Sequence, residues 1–230
     1  MKKTALFLIV MSFCAFSAHA AETASQGVNE GFESGDAGWQ PVISKIKISR
    51  ETTGGNSGAY MKTDGQMEVG WVNTTPQYTG NFQSRHLESI EVDLIPYECV
   101  SPYFRPMVRV RFDASDNGWS YKFNDFLCDN KAWKTYKAPF NAGWTDAEAK
   151  ANGWAQENNS KKTFAETLQH VKYLIVSMGV SWKHTVMGMD NFKLIAKEIN
   201  TVAPVNPAIK PGELNAKKKA EIPKEKIRIK

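Results

Sequence analysis

Two short runs, Ile90-Glu91-Val92-Asp93-Leu94 and Val108-Arg109-Val110-Arg111-Phe112, alternate apolar and charged residues with a period of two. Successive side chains of a strand point to opposite faces, so each run suits a strand with one face in a core and the other in water. The second run is followed by Asn117-Gly118, residues that accept the backbone conformation of a two-residue hairpin loop. With those two as the loop, Phe112 opposes Phe123 on the core face and Asp113 opposes Lys122 outside. The same register sets Asp125 opposite Val110, on the apolar side. A carboxylate there is either a strand end or bulge, or a ligand-facing group, and Asp125 is carried forward as a candidate.

The remaining segments extend the same pattern. Val186 to Ile195 reads as the last strand and Gly31-Phe32-Glu33 as the first, so that the two ends of one domain meet. Gly35, Asp36 and Gly38 turn the chain between Phe32 and Trp39. A β-like run follows through Ile43, Ile46 and Ile48, then a three-glycine loop, Thr53 to Gly58, and a new strand at Ala59-Tyr60-Met61. No Gly-Lys-Ser/Thr ending follows that loop, so it is read as a tight turn with free carbonyls and no phosphate cradle. Ala132 to Phe140 is a further strand. Val171 to Met178 is apolar throughout, as a strand covered on both faces is. Thr145-Asp146-Ala147-Glu148 and Thr163-Phe164-Ala165-Glu166 both match the capping box that opens a helix. The prediction is an all-β, two-sheet antiparallel sandwich over residues 30–197, with one or two short helices in an insertion over 141–170.

Outside that domain the composition changes. Lys2 and Lys3, the apolar run Ala5 to Phe16 and Ala18-His19-Ala20 make up the three zones of a signal peptide over residues 1–20. The expected mature chain is exported, periplasmic or secreted, with a short lead over 21–29. The apolar run is shorter than the roughly 20 residues a membrane-spanning helix needs, and no later segment approaches that length. Cys14 follows bulky Phe13, unlike a lipoprotein cysteine. Cys99 and Cys128 remain, and in an oxidising compartment an even pair is most simply one disulfide; two thiols or a metal pair are the other readings.

The mature chain carries 27 basic and 24 acidic residues, and residues 201–230 alone hold eight Lys or Arg against three Glu. The folded part is therefore slightly acidic, which argues against specific nucleic-acid binding. The Pro- and Lys-rich tail over 198–230 buries too little apolar area to offset its ordering entropy. It reads as a solvated tail or as an electrostatic tether to an anionic surface of the envelope.

Phe32-Glu33 with Gly38-Trp39, then Gly54 to Tyr60, then Phe164 to Val176 leading to Asp190-Asn191-Phe192, resemble in their order the galactose-binding-like jelly rolls. Among these, laminin-B-type domains and non-catalytic carbohydrate-binding modules are the most similar. The resemblance implies a jelly-roll sandwich, often with a structural calcium where first and last strands meet. It maps the calcium carboxylates onto Glu33 and Asp190, with carbonyls from the Gly54 to Ser57 loop. Calcium takes six to eight oxygen ligands, so such a mixed set is required.

Carbohydrate binding needs aromatic faces for the C–H side of a pyranose and polar groups for its hydroxyls. Trp39 and Trp182 are assigned to the core. Trp71, Trp119, Trp144 and Trp154 stand in polar or turn-like contexts and are the candidate platforms. The expected function is a non-catalytic module binding carbohydrate or envelope glycan. A protein-interaction or envelope-associated structural module is one alternative, and a polysaccharide hydrolase or lyase is another. Against catalysis stand the scattered His86, His170 and His184, the lack of a Gly-x-Ser-x-Gly elbow, and acid pairs such as Glu91 and Asp93 on the outward side of a strand.

Overall fold

The computed structural model describes residues 27–99, 105–115, 117–158, 160–178 and 181–197, without the side chains of 181 and 182. The expected signal peptide, the basic tail and the side chain of Trp182 lie outside the described residues. Twelve strands and two helices follow in order: β1 (Val28–Glu30), β2 (Gln40–Pro41), β3 (Lys47–Glu51), β4 (Tyr60–Met67), β5 (Gly70–Asn73), β6 (Leu87–Glu98), β7 (Pro106–Arg111), β8 (Gly118–Lys122), β9 (Lys134–Pro139), α1 (Asp146–Ala151), β10 (Trp154–Gln156), α2 (Phe164–Gln169), β11 (Tyr173–Met178) and β12 (Ser181–Ala196). They form two antiparallel sheets. The first runs β3-β4-β12-β6-β9 with β1 also paired to β12, and the second runs β10-β8-β7-β11-β5-β2.

The period-two runs set the core. Ile90, Val92 and Leu94 of β6 and Val108 and Val110 of β7 are fully buried, facing Met187 and Met189 of β12 and Leu174 and Val176 of β11 in one cluster. β11 lies between β7 and β5, and five of its six residues are buried, as its continuous apolar run requires. Both capping boxes form. Thr145 caps α1 with Glu148 bonding back to it, and Thr163 with Glu166 does the same for α2.

Two local expectations are corrected. The first strand is β1, pairing Val28 with Leu194 and Glu30 with Phe192, and Gly31 to Glu33 leaves the sheet. Phe32 has φ 61, a left-handed conformation that ends the strand, and its N–H turns back to the Glu30 carboxylate. The hairpin loop is longer than two residues, because Asp113 accepts from the Ser115 N–H and from the Asn117 amide, and the Phe112 N–H donates to the Asn117 carbonyl. Val110 therefore pairs with Trp119 and not with Asp125, a shift of six residues along the second strand. An even shift preserves which face each residue takes, so the inward set of β7 is unchanged. The cysteine alternatives resolve to a disulfide between Cys99, just past β6, and Cys128, with Cα atoms 5.3 Å apart.

Candidate functional site

Three of the four candidate tryptophans are core residues. Trp71 and Trp119 have no exposed surface and Trp154 is 2% exposed, so none offers a ring face to a ligand. The reason is parity: Trp71 on β5 pairs with inward Val176 and Trp119 on β8 pairs with inward Val110, so both fall in the inward phase of their strands. Trp119 and Trp154 also place their indole N–H groups on the carbonyls of Lys162 and Pro139.

Trp144 is different. Asn141 accepts through its side chain from the Gly143 N–H and through its carbonyl from the Trp144 N–H, a turn that carries Trp144 out ahead of the Thr145 cap. The indole stacks on Phe164 with ring centroids 6.2 Å apart and planes 27° from parallel, and it is half-buried. It forms part of the wall of a groove of about 580 Å³ between the start of β6 and the end of β9. His86, Glu88, Asn141 and Lys197 bring polar groups to that groove, and Ser89 lines it with a buried Oγ that has no hydrogen-bond partner. An aromatic wall with a few convergent polar groups, at this volume, is the composition of a small-ligand or oligosaccharide site.

Asp125 does not face the apolar side of the hairpin. It lies on the surface in a turn after β8, its Oδ2 2.6 Å from Lys134 Nζ, and the Lys134 ammonium holds its carboxyl below the usual carboxylate range. It lines a second, smaller hollow of about 330 Å³, which Lys137 shares with the first.

Glu33 and Asp190 come together around the Gly54 to Gly58 loop, from opposite ends of the chain. Glu33 Oε1 accepts from the Ala59 N–H at 3.0 Å, and Asp190 Oδ2 accepts from the Ser57 N–H at 3.1 Å. Sequence reasoning missed a third carboxylate, Asp93, which is the cross-strand neighbour of Asp190 on β6. Thr135, Asn56 and Asn191 donate to it. Asp190 is fully buried and Asp93 is 4% exposed. Burial pushes the Asp190 carboxyl above its ordinary value. Two adjacent buried carboxylates whose hydrogen bonds come from neutral donors leave a local negative charge; among the described residues no group of three or more His, Cys, Asp or Glu is placed to hold a metal ion. Of the expected carbonyls that of Gly54 accepts from Trp133 Nε1, and the neighbouring Gly58 carbonyl accepts from the Gly55 N–H.

Two further features were not singled out in the sequence. Trp133 packs edge-on to Tyr60, 5.4 Å between centroids, on the outward face of the first sheet, with Tyr97 6.0 Å from Tyr60. Its phase with outward Thr135 and Lys137 was the available signal. On the outward face of the second sheet, Glu157 takes two bonds from Arg111 (2.7 and 3.0 Å) and lies 3.3 Å from Arg109, which also pairs with Glu68. Ser177 donates to Glu68. These charges answer one another, so the network joins β7 to the segments beside it.

No family model matches the chain, and no curated protein matches it. Solved structures do. The chain is similar to the family 11 carbohydrate-binding module of a cellulosomal cellulase of Clostridium thermocellum at 17% identity and TM-score 0.52, over 77% of this chain and 99% of that one. A family 11 module from Clostridium thermocellum in complex with a β-1,3-1,4-mixed-linked tetrasaccharide matches at 19% identity and TM-score 0.48, over 74% and 96%. A family 30 module of another cellulosomal cellulase of Clostridium thermocellum matches at 10% identity and TM-score 0.48, over 76% and 99%. At 17% identity and TM-score 0.52 the shared property is the fold, a two-sheet antiparallel jelly-roll sandwich.

Proposed function

We propose that the protein is an exported, non-catalytic module that binds carbohydrate or an envelope glycan in the groove beside Trp144. The observation that carries this reading is the half-exposed Trp144 ring, backed by Phe164, in the wall of a groove of about 580 Å³ with polar groups around it. A pyranose stacks its C–H face on such a ring, and amide, carboxylate and hydroxyl groups nearby sort its hydroxyls. Module neighbours that share the fold, one of them holding a tetrasaccharide, support the same reading. The test is binding of the full chain to a panel of polysaccharides before and after Trp144→Ala. Loss of at least about tenfold in affinity with an unchanged far-ultraviolet spectrum is the expected result. Equal binding by both proteins removes Trp144 from the site.

Calcium bound by Glu33 and Asp190 is proposed as a structural ion. There it would neutralise the paired carboxylates and stiffen the junction of the Gly54 to Gly58 loop with β12. The readout is thermal unfolding: calcium is expected to raise the midpoint and a chelator to lower it, by mass action on the native state. A midpoint indifferent to both discards the ion.

Export is proposed from the Lys2-Lys3 start, the apolar run Ala5 to Phe16 and the small-residue end Ala18-His19-Ala20, and an amino terminus at Ala21 in the periplasmic or culture fraction is its test. The tail over 198–230 is proposed as a weak, salt-sensitive tether to an anionic surface.

A further inference from the structure

We propose that the natural ligand is an acidic polysaccharide, a uronate-bearing chain, lying along β9 across both hollows; this rests on the reading that the Trp144 groove binds glycan. Three observations lead there. First, the groove beside Trp144 and the smaller hollow beside Asp125 share Lys137, so both open on the outward side of the same edge strand. From Thr135 to Pro139 that strand covers about 14 Å at the rise of a strand, longer than one sugar ring, and the groove continues beyond it to Trp144. A chain suits this length better than a single terminal residue does.

Second, the lysines of the two hollows are unevenly matched. Lys137 pairs with Glu91 at 2.9 Å, whereas Lys122 in the smaller hollow and Lys197 in the larger have no ion-pair partner among the described residues. Of the acids lining the hollows, Asp125 is taken up by Lys134. Glu88 is the other, so the ammonium groups outnumber the carboxylates free to answer them. A carboxylate on every sugar, repeating along the chain, supplies the missing acceptors, and hydrogen bonds to charged groups are the stronger kind.

Third, the half-buried Trp144 ring, backed by Phe164, stands in the wall of the groove at the far end of the same path. Trp144 then supplies the ring face and the lysines choose the charge. Charge discriminates here because exposed ammonium groups attract a polyanion through a salt-screened Coulomb term that a neutral chain does not share.

The experiment uses the full chain with two polymers that differ only in charge, polygalacturonate and its carboxyl-reduced form, titrated calorimetrically at low and at moderate salt. Polygalacturonate is expected to bind at least about tenfold more tightly, with the advantage shrinking as salt rises. In the triple variant Lys122→Ala, Lys137→Ala, Lys197→Ala its affinity is expected to fall to that of the reduced polymer. That variant leaves the basic tail in place, so a preference that survives it comes from elsewhere in the chain and overturns the proposal. Equal affinity of the unaltered protein for both polymers overturns it as well. Trp144→Ala separates the two levels: if it weakens both polymers while no charge preference exists, the groove binds neutral glycan and only this inference fails. If neither polymer nor any other glycan depends on Trp144, the function reading fails and takes this one with it.

Discussion

Gly188 lies beneath the indole of Trp133: a Cβ at position 188 would stand 2.8 Å from Trp133 Cη2 and 2.8 Å from Ile95 Cγ2. β12 is the strand most enclosed by the first sheet, and the absence of a side chain at its centre leaves the space in which Trp133 reaches across from β9 to Tyr60 and Gly54. Gly188→Ala is therefore expected to destabilise the domain by about 1 to 3 kcal/mol, as overpacking does. Urea unfolding measures it through a lower midpoint at unchanged slope. A variant as stable as the unaltered protein shows that the ring moves aside freely.

Trp119 and Trp144 separate the core from the surface. Truncating Trp119, which packs against Phe164 at 5.2 Å, is expected to cost about 3 to 5 kcal/mol. Trp144→Ala is expected to cost about 1 kcal/mol, since much of the ring is already in water. Comparable losses in the two denaturation curves would place Trp144 in the core and remove it as a platform.

The Cys99–Cys128 bridge closes a separation of 29 residues. Restricting the unfolded chain over a loop of that size stabilises by about 3 to 4 kcal/mol, so reduction or a Cys99→Ser, Cys128→Ser double variant is expected to lower stability by that amount. Thiol titration of the native protein checks the premise, and two reactive thiols would contradict it.

His184 bridges three strands, with Nδ1 2.9 Å from Glu98 Oε2 and Nε2 2.7 Å from Asp64 Oδ1. These bonds, that to Glu98 foremost, raise its pKa above the ordinary imidazole value. A folded-state pKa above the unfolded one means that folding takes up a proton. The clamp is thus fully present below about pH 6.5 and fades as pH rises through the raised folded value. Over roughly pH 5 to 8, the thermal midpoint of the unaltered protein should fall relative to that of His184→Gln. Parallel profiles would mean that the exposed clamp contributes nothing measurable.

Much of the architecture was legible because its signals are local. Each capping box closes within four residues, and period-two alternation in β6 and β7 states which side is inward whatever the partner strand is. That is why the hairpin register slipped by six residues without moving a single inward residue of β7. The turn itself was misread because Asp113 competes for the backbone N–H groups beyond Phe112, a side-chain contest that Asn117-Gly118 does not display.

The site was less legible, since exposure is decided by what lies above a residue and not by its neighbours in the chain. Trp71, Trp119, Trp144 and Trp154 each follow a glycine, but strand parity turns Trp71 and Trp119 inward and the Pro139 carbonyl receives the indole N–H of Trp154. Asp93 reads as one more outward acid until β12 sets Asp190 beside it, and Trp133 reads as a strand residue until Gly188 makes room for its ring. The sequence by itself determined the elements and their inward faces, because those follow from bonding and burial within short segments. Only the tertiary structure decided which tryptophan meets water, which carboxylates share a buried site and which lysines are left unpaired. Each of these depends on contacts between residues far apart in the chain, fixed when the two sheets close over one core.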